Sequence, residues 1–161
     1  MCHRRTGLAV AQTSYSASEW GVWRGLCPGA PCASRTGMAG ATHFRELTCW
    51  QLAHELKLAV YRVADSPMVR GDVRFREQLM HAAASGPRNI AEGFGRRTHR
   101  DFAQFLDVAR GSLMECQNHL QDAVDRQYLD PADFGRLESL AQRACGAVAR
   151  LQKYLRGPHP Q

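Results

Sequence analysis

The chain has 161 residues, of which 44% are hydrophobic and 22% are charged, as is usual for a single soluble domain. No apolar run approaches the roughly 20 residues that a membrane-spanning helix needs, and the short apolar stretch at residues 8–11 is smaller than a signal-peptide core of about 7–15 residues. The net charge of +6 favours an anionic partner only weakly, because it divides evenly between residues 1–40 and the remainder. We therefore expect a cytoplasmic protein that does not bind membranes.

Residues 1–41 differ in composition from the rest of the chain. They are rich in Gly, Ser, Ala and Thr, contain two prolines, and lack both helical and alternating periodicity. This pattern is typical of a disordered segment. Because Met38 lies just before the first predicted helix, we hypothesise that translation begins there and that the gene assignment is too long. The alternative is a functional N-terminal tail, and the intact mass of the native protein would decide between them.

Beyond Met38 the sequence predicts one all-α domain at residues 42–156, followed by a flexible tail at residues 157–161. Capping residues and prolines mark the helix ends, including Thr42, the Thr98–Asp101 capping box and the Asp130–Pro131 pair. The predicted helices cover residues 43–65, 72–94, 98–127 and 130–156, the second of them bent at Gly86-Pro87. Each carries an apolar stripe, and the short connections predict an antiparallel, up-down-up-down four-helix bundle.

The first predicted helix carries a second apolar strip in addition to its core stripe. This strip consists of Phe44, Leu47, Trp50, Leu58 and Tyr61. A helix that is apolar on two sides is more buried than one bundle can arrange. The strip predicts either a subunit interface anchored by aromatic residues or packing beneath another segment of the same chain.

No catalytic or metal-binding constellation is visible in the sequence. The six cysteines contain no C-x2-C pair, the nearest approach being Cys27 and Cys32. Glu115 and His119 are spaced by one residue more than the Glu-x-x-His pair of di-iron bundles. We therefore expect a protein that is not an enzyme and that needs no cofactor or metal.

The most unusual segment lies between the second and third predicted helices, at residues 85–100. Arg88, Asn89 and Glu92 share the polar face of the second predicted helix, and Arg96, Arg97 and Arg100 follow it. Guanidinium groups bind phosphate bidentately, so this corner could contact a nucleic-acid backbone. The alternative is a solvated corner in which Glu92 and Asp101 pair with the arginines.

Three stretches of the sequence form a recognisable pattern, namely residues 78–85, the N-I-A-E-G motif from Asn89 to Gly93, and the A-R-G-S-L motif that contains Gly111 and Ser112. With this pattern, the chain from about Phe44 to Leu155 resembles the four-helix-bundle family of 23S ribosomal RNA intervening-sequence proteins, which includes the accessory variability determinant proteins of diversity-generating retroelements. Asn89, Glu92, Gly93, Gly111 and Ser112 are the motif residues that we carry over. Two positions depart from the family pattern, His81 in place of arginine and Gly86 in place of an aliphatic residue.

The resemblance implies an antiparallel bundle that assembles as a homopentamer with a basic surface, and nucleic-acid binding in the retroelement branch. Our leading prediction is a non-enzymatic homo-oligomer that binds RNA or DNA backbone. The predicted contacts are Arg74, Arg88, Asn89, Arg96, Arg97, Arg100 and Arg110. The alternative is a scaffold for a protein partner, such as a reverse transcriptase, in which Asn89 and Glu92 would matter more than the arginines.

Overall fold

A computed structural model gives the structure of residues 41–157. The predictions for the N-terminal segment, including the translation start at Met38, lie outside these residues. So do Cys2, Cys27 and Cys32, and most of the predicted C-terminal tail.

The fold is all-α, as the sequence predicts. One 3-10 turn, at Phe44–Glu46, precedes five α-helices. The helices are α1 (Thr48–Ala64), α2 (Pro67–Arg70), α3 (Val73–Phe94), α4 (His99–Asp125) and α5 (Pro131–Arg156). The four long helices pack in a ring, each against the next along the chain, and α5 closes the ring against α1. This is the predicted four-helix bundle.

Contacts at both ends of α3 show that it runs antiparallel to α4. Near the start of α3, Arg126 reaches back to Asp72 across 3.1 Å. Near its end, Gly93 packs against Phe102. The core between the helices is formed by fully buried aliphatic side chains, the largest being Leu56, Leu79, Ile90, Leu106, Leu113 and Leu120.

The start of the first predicted helix is wrong by five residues. Leu47 has an extended backbone (φ −72°, ψ 122°), so the 3-10 turn and α1 are separate elements. The Nδ1 atom of His43 caps the 3-10 turn by accepting from the amide of Arg45. Thr42, which we predicted as the cap, instead bonds to the carboxylate of Glu46 through both its amide and its hydroxyl.

The other helix ends follow their capping residues. Thr98 and Asp130 cap α4 and α5 as predicted, and α5 ends at Arg156. The short helix α2 is not among the predicted helices. Ser66 caps it and Pro67 occupies its first turn, although a proline at this point of the sequence can equally end the preceding helix. Helix α4 ends two residues early, at Asp125, because Gln127 adopts a left-handed conformation (φ 62°). In the described part of the chain, no helix is long and apolar enough to cross a membrane.

Candidate nucleic-acid interface

The bundle divides into two halves of different charge, which the linear sequence hides. One half contains residues 41–56, 84–112 and 144–157, with nine Lys or Arg against five Asp or Glu. We call it the basic half. The other half contains residues 57–83 and 113–143, with eight Lys or Arg against nine Asp or Glu. Because the helices are antiparallel, residues that are far apart in the sequence lie in the same half. The net charge is +4 in the basic half and −1 in the other half.

The corner between α3 and α4 lies at the tip of the basic half, and Arg96 stabilises it. Arg96 donates to Glu92 across 2.6 Å, and its guanidinium lies 4.3 Å from the centre of the Phe105 ring. The ion pair and the cation–π contact hold this side chain against the bundle. Arg96 therefore contributes to the shape of the corner, and it is less available to a ligand than its neighbours.

Three other arginines at or near this corner have no ion-pair partner among the described residues. Arg88, Arg97 and Arg100 are exposed, and within residues 41–157 no carboxylate lies within ion-pair distance of any of them. Of the acidic residues at the corner, Glu92 pairs with Arg96, and Asp101 accepts from the Thr98 hydroxyl across 2.7 Å. The solvated-corner alternative, in which these two acids neutralise the arginines, thus applies to Arg96 alone.

The remaining two predicted arginines lie away from this corner. Arg74 is in the first turn of α3, at the opposite end of the bundle, in the half with a charge of −1. Arg110 is about 16 Å along α4 from its start, on the side that faces Cys145 of α5. The structure thus places Arg88, Arg96, Arg97 and Arg100 in the last turns of α3, the α3–α4 connection and the first turn of α4, and it places Arg74 and Arg110 elsewhere.

Asn89, a predicted nucleic-acid contact, has its side-chain amide bonded within the chain. Its Nδ2 atom donates to the carbonyl and the hydroxyl of Ser85, at 2.8 and 3.1 Å. The Ser85 hydroxyl lies 2.8 Å from that of Ser112, which donates to the carbonyl of Val108 on α4. The amide is therefore the first member of a hydrogen-bonded chain that joins α3 to α4, and both serines are buried.

Gly93 permits the closest approach between α3 and α4. A Cβ atom on Gly93 would lie 2.5 Å from the Phe102 ring and 2.7 Å from the Cβ of Phe105. Both distances are far below a normal carbon–carbon contact of about 3.5–4.0 Å. The two helices can converge at the corner only because this residue has no side chain.

The profile of the 23S rRNA-intervening sequence protein family matches residues 45–149. The chain belongs to this family. The matched range spans nearly the whole bundle, from the 3-10 turn to the last third of α5. No curated protein matches the chain.

Most of the motif residues on which the family resemblance rests make a specific contact in the bundle. Asn89 and Ser112 belong to the hydrogen-bonded chain, Gly93 allows the close helix approach, and Glu92 holds Arg96. Gly111 is different, because it is exposed in the middle of α4 and a Cβ there would meet no atom within 4 Å. Of the Gly111-Ser112 pair, only Ser112 therefore packs at the contact between α3 and α4.

The second apolar strip is only partly exposed. Leu47 is buried in the core of the bundle, so this predicted interface residue cannot contact a partner. Phe44 and Trp50 are half-buried, their rings 5.2 Å apart, and Trp50 stacks on His54 at 4.6 Å. Tyr61 is half-buried as well, beneath the ammonium of Lys57, and Leu58 is 42% exposed. The surface that this strip offers to a partner is thus smaller than the sequence predicts.

The described residues contain no cluster of three or more His, Cys, Asp or Glu side chains that could hold a metal ion. Two core cysteines are also poorly suited to nucleophilic chemistry. Burial raises the pKa of the Cys49 thiol to about 11 and that of Cys116 to about 12. At neutral pH both stay protonated, and a thiol reacts as its thiolate.

Proposed function

We propose that this protein is a non-enzymatic RNA-binding member of its family, and that it contacts the phosphate backbone through the basic half of the bundle. The observation that carries the proposal is the cluster of Arg88, Arg97 and Arg100, whose charges no described carboxylate neutralises. An uncompensated cationic cluster releases counterions from a nucleic acid when it binds. The family description, which refers to 23S ribosomal RNA, favours RNA over DNA as the partner.

Binding of this kind depends on backbone charge and not on base sequence. No exposed Phe, Tyr or Trp ring lies among these three arginines in the described part of the corner, because Phe102 is buried, Phe94 is half-buried and Phe105 lies beneath Arg96. A platform for stacking unpaired bases requires such rings. We therefore expect the protein to prefer structured RNA and to bind RNAs of different base sequence with similar affinity.

A salt series tests this proposal. Fluorescence anisotropy with a labelled RNA hairpin and the full chain should show an affinity that falls with salt. Three phosphate contacts per chain predict a log–log slope of about −2 to −3, and a larger magnitude if several chains bind one RNA. A duplex DNA of the same length serves as the comparison. Absence of binding at 50 mM salt, or binding insensitive to salt, would contradict the proposal.

The scaffold alternative receives less support from the contacts at the corner. It depends on Asn89 and Glu92, and both side chains are already engaged within the chain. A partner protein would have to replace these intramolecular contacts. The cationic cluster requires no such rearrangement.

We also propose that the protein is a homo-oligomer, with Leu58, Trp50 and Tyr61 at the interface. Leu58 supplies the exposed apolar surface, and the two half-buried aromatic residues are suited to anchor a contact. We expect light scattering on the full chain to give several times the 18.0 kDa of one chain, and Leu58→Asp to lower that mass. A monomeric mass at micromolar concentration would overturn this proposal and favour packing of the strip within one chain.

A further inference from the structure

A cleft lies beside Arg100, where the first turns of α4 meet the last turn of α5. Its volume is about 480 Å³, within the range of small-ligand sites. It is lined by His99, Arg100, Ala103, Gln104, Leu155 and Arg156. The rim is thus cationic and polar, and Ala103 and Leu155 form an apolar floor.

The geometry points to a binding site for a single phosphate group between Arg100 and Arg156. The two guanidiniums come from different helices and line the same cleft, so a phosphate placed between them can accept from both. This inference deepens the proposed function, because it names one position where the RNA backbone or an RNA end would be held. The site also includes Arg156 and Gln104, which are not among the contacts predicted from the sequence.

Arg156 is linked to α4 through Asp107. The carboxylate of Asp107 pairs with Arg156 and also accepts from Gln152, which in turn donates to the carbonyl of Ala103 across 3.1 Å. Gln152 is buried, whereas the ion pair between Asp107 and Arg156 faces solvent. Arg156 remains half-exposed, and a guanidinium has five N–H donors, so it can bind Asp107 and a phosphate together.

The charges around the cleft favour an anion. Asp107 is the acidic partner of Arg156, which leaves Arg100 without a neutralising carboxylate among the described residues. The start of α4 adds partial positive charge from its backbone amides, whereas the end of α5 carries partial negative charge. We therefore expect the phosphate to lie nearer to α4, where Arg100 and the Gln104 amide can donate to it.

Inorganic phosphate tests the cleft independently of RNA. In an amide NMR titration of the full chain at constant ionic strength, phosphate should shift residues 99–104 and 155–157 in a saturable way. Arg100→Gln should weaken this binding by on the order of tenfold, the value of about one charge-assisted hydrogen bond. Arg74→Gln removes the same charge in the other half of the bundle and should leave the binding within about twofold. No saturable shift, or equal effects of the two variants, would overturn the site.

RNA then distinguishes the two sources of phosphate. A 5′-phosphorylated and a 5′-hydroxyl hairpin of the same sequence are compared on the wild type, Arg100→Gln and Arg74→Gln. If the cleft holds a terminal phosphate, the phosphorylated hairpin binds more tightly, and only Arg100→Gln abolishes the difference. If it holds an internal phosphate, Arg100→Gln weakens both hairpins more than Arg74→Gln does. If phosphate binds in a saturable way but neither hairpin binds, the proposed function is wrong and the phosphate site in the cleft is still supported.

Discussion

Reversing the charges of Arg88 and Arg97 together is expected to weaken the binding of structured RNA by on the order of 100-fold. Each arginine can make a charge-assisted hydrogen bond of about 1.5–3 kcal/mol, and about 1.4 kcal/mol corresponds to a tenfold change. The substitution Arg88→Glu/Arg97→Glu removes two such contacts and adds repulsion. Both side chains are exposed, so the fold should not change. Anisotropy measured at one low salt concentration provides the readout.

The matched control reverses two charges in the other half of the bundle. Arg74→Glu/Arg143→Glu makes the same change in net charge at exposed positions of α3 and α5. A glutamate at position 74 also suits the first turn of α3, where the helix dipole favours negative charge. We expect this variant to lose less than about tenfold in affinity, since only the long-range charge differs. Equal losses in the two variants would mean that net charge alone governs binding and that the basic half is not the interface.

Gly93→Ala is expected to destabilise the bundle by about 1–3 kcal/mol, the usual cost of overpacking a core. The added methyl group would approach the Phe102 ring to 2.5 Å, so α3 and α4 must move apart at the corner. This motion also disturbs Phe105, against which Arg96 lies. Urea unfolding followed by circular dichroism measures the loss.

Gly111→Ala provides the control, because it makes the same chemical change in the middle of α4 with open space around it. Alanine is favoured over glycine in a helix interior by about 0.5–1 kcal/mol. We therefore expect this variant to be more stable than the wild type. A Gly93→Ala protein as stable as Gly111→Ala would contradict the close approach of α3 and α4.

The fold was predictable because its signals are local. Thr98 and Asp130 cap α4 and α5 by bonding to amides two or three residues further along the chain, and the apolar stripes depend only on the 3.6-residue period. The sequence did not predict α2 or the break at Leu47, because the residues there are compatible with more than one local structure. Ser66 and Pro67 can both end one helix and begin another, and Leu47 interrupts a helical pattern because its side chain enters the core.

The candidate site was predictable only in part, because it depends on which residues the fold brings together. Arg74 and Arg97 are equally basic in the sequence, but the bundle places them at opposite ends. Asn89 lies on the polar side of an ideal helix, yet the serine hydroxyls at the α3–α4 contact draw its amide inward. Arg156 is 56 residues from Arg100 in sequence, and no periodicity within one helix could relate them.

The most direct test of the central claim is a hydroxyl-radical footprint of RNA on the full chain, read by mass spectrometry. We expect RNA to protect His99 and Phe105 in the basic half. Met68 and Met114, which are 59% and 56% exposed in the other half, should react equally with and without RNA. Protection of the two methionines with no protection of His99 and Phe105 would contradict the assignment of the basic half as the RNA-binding surface.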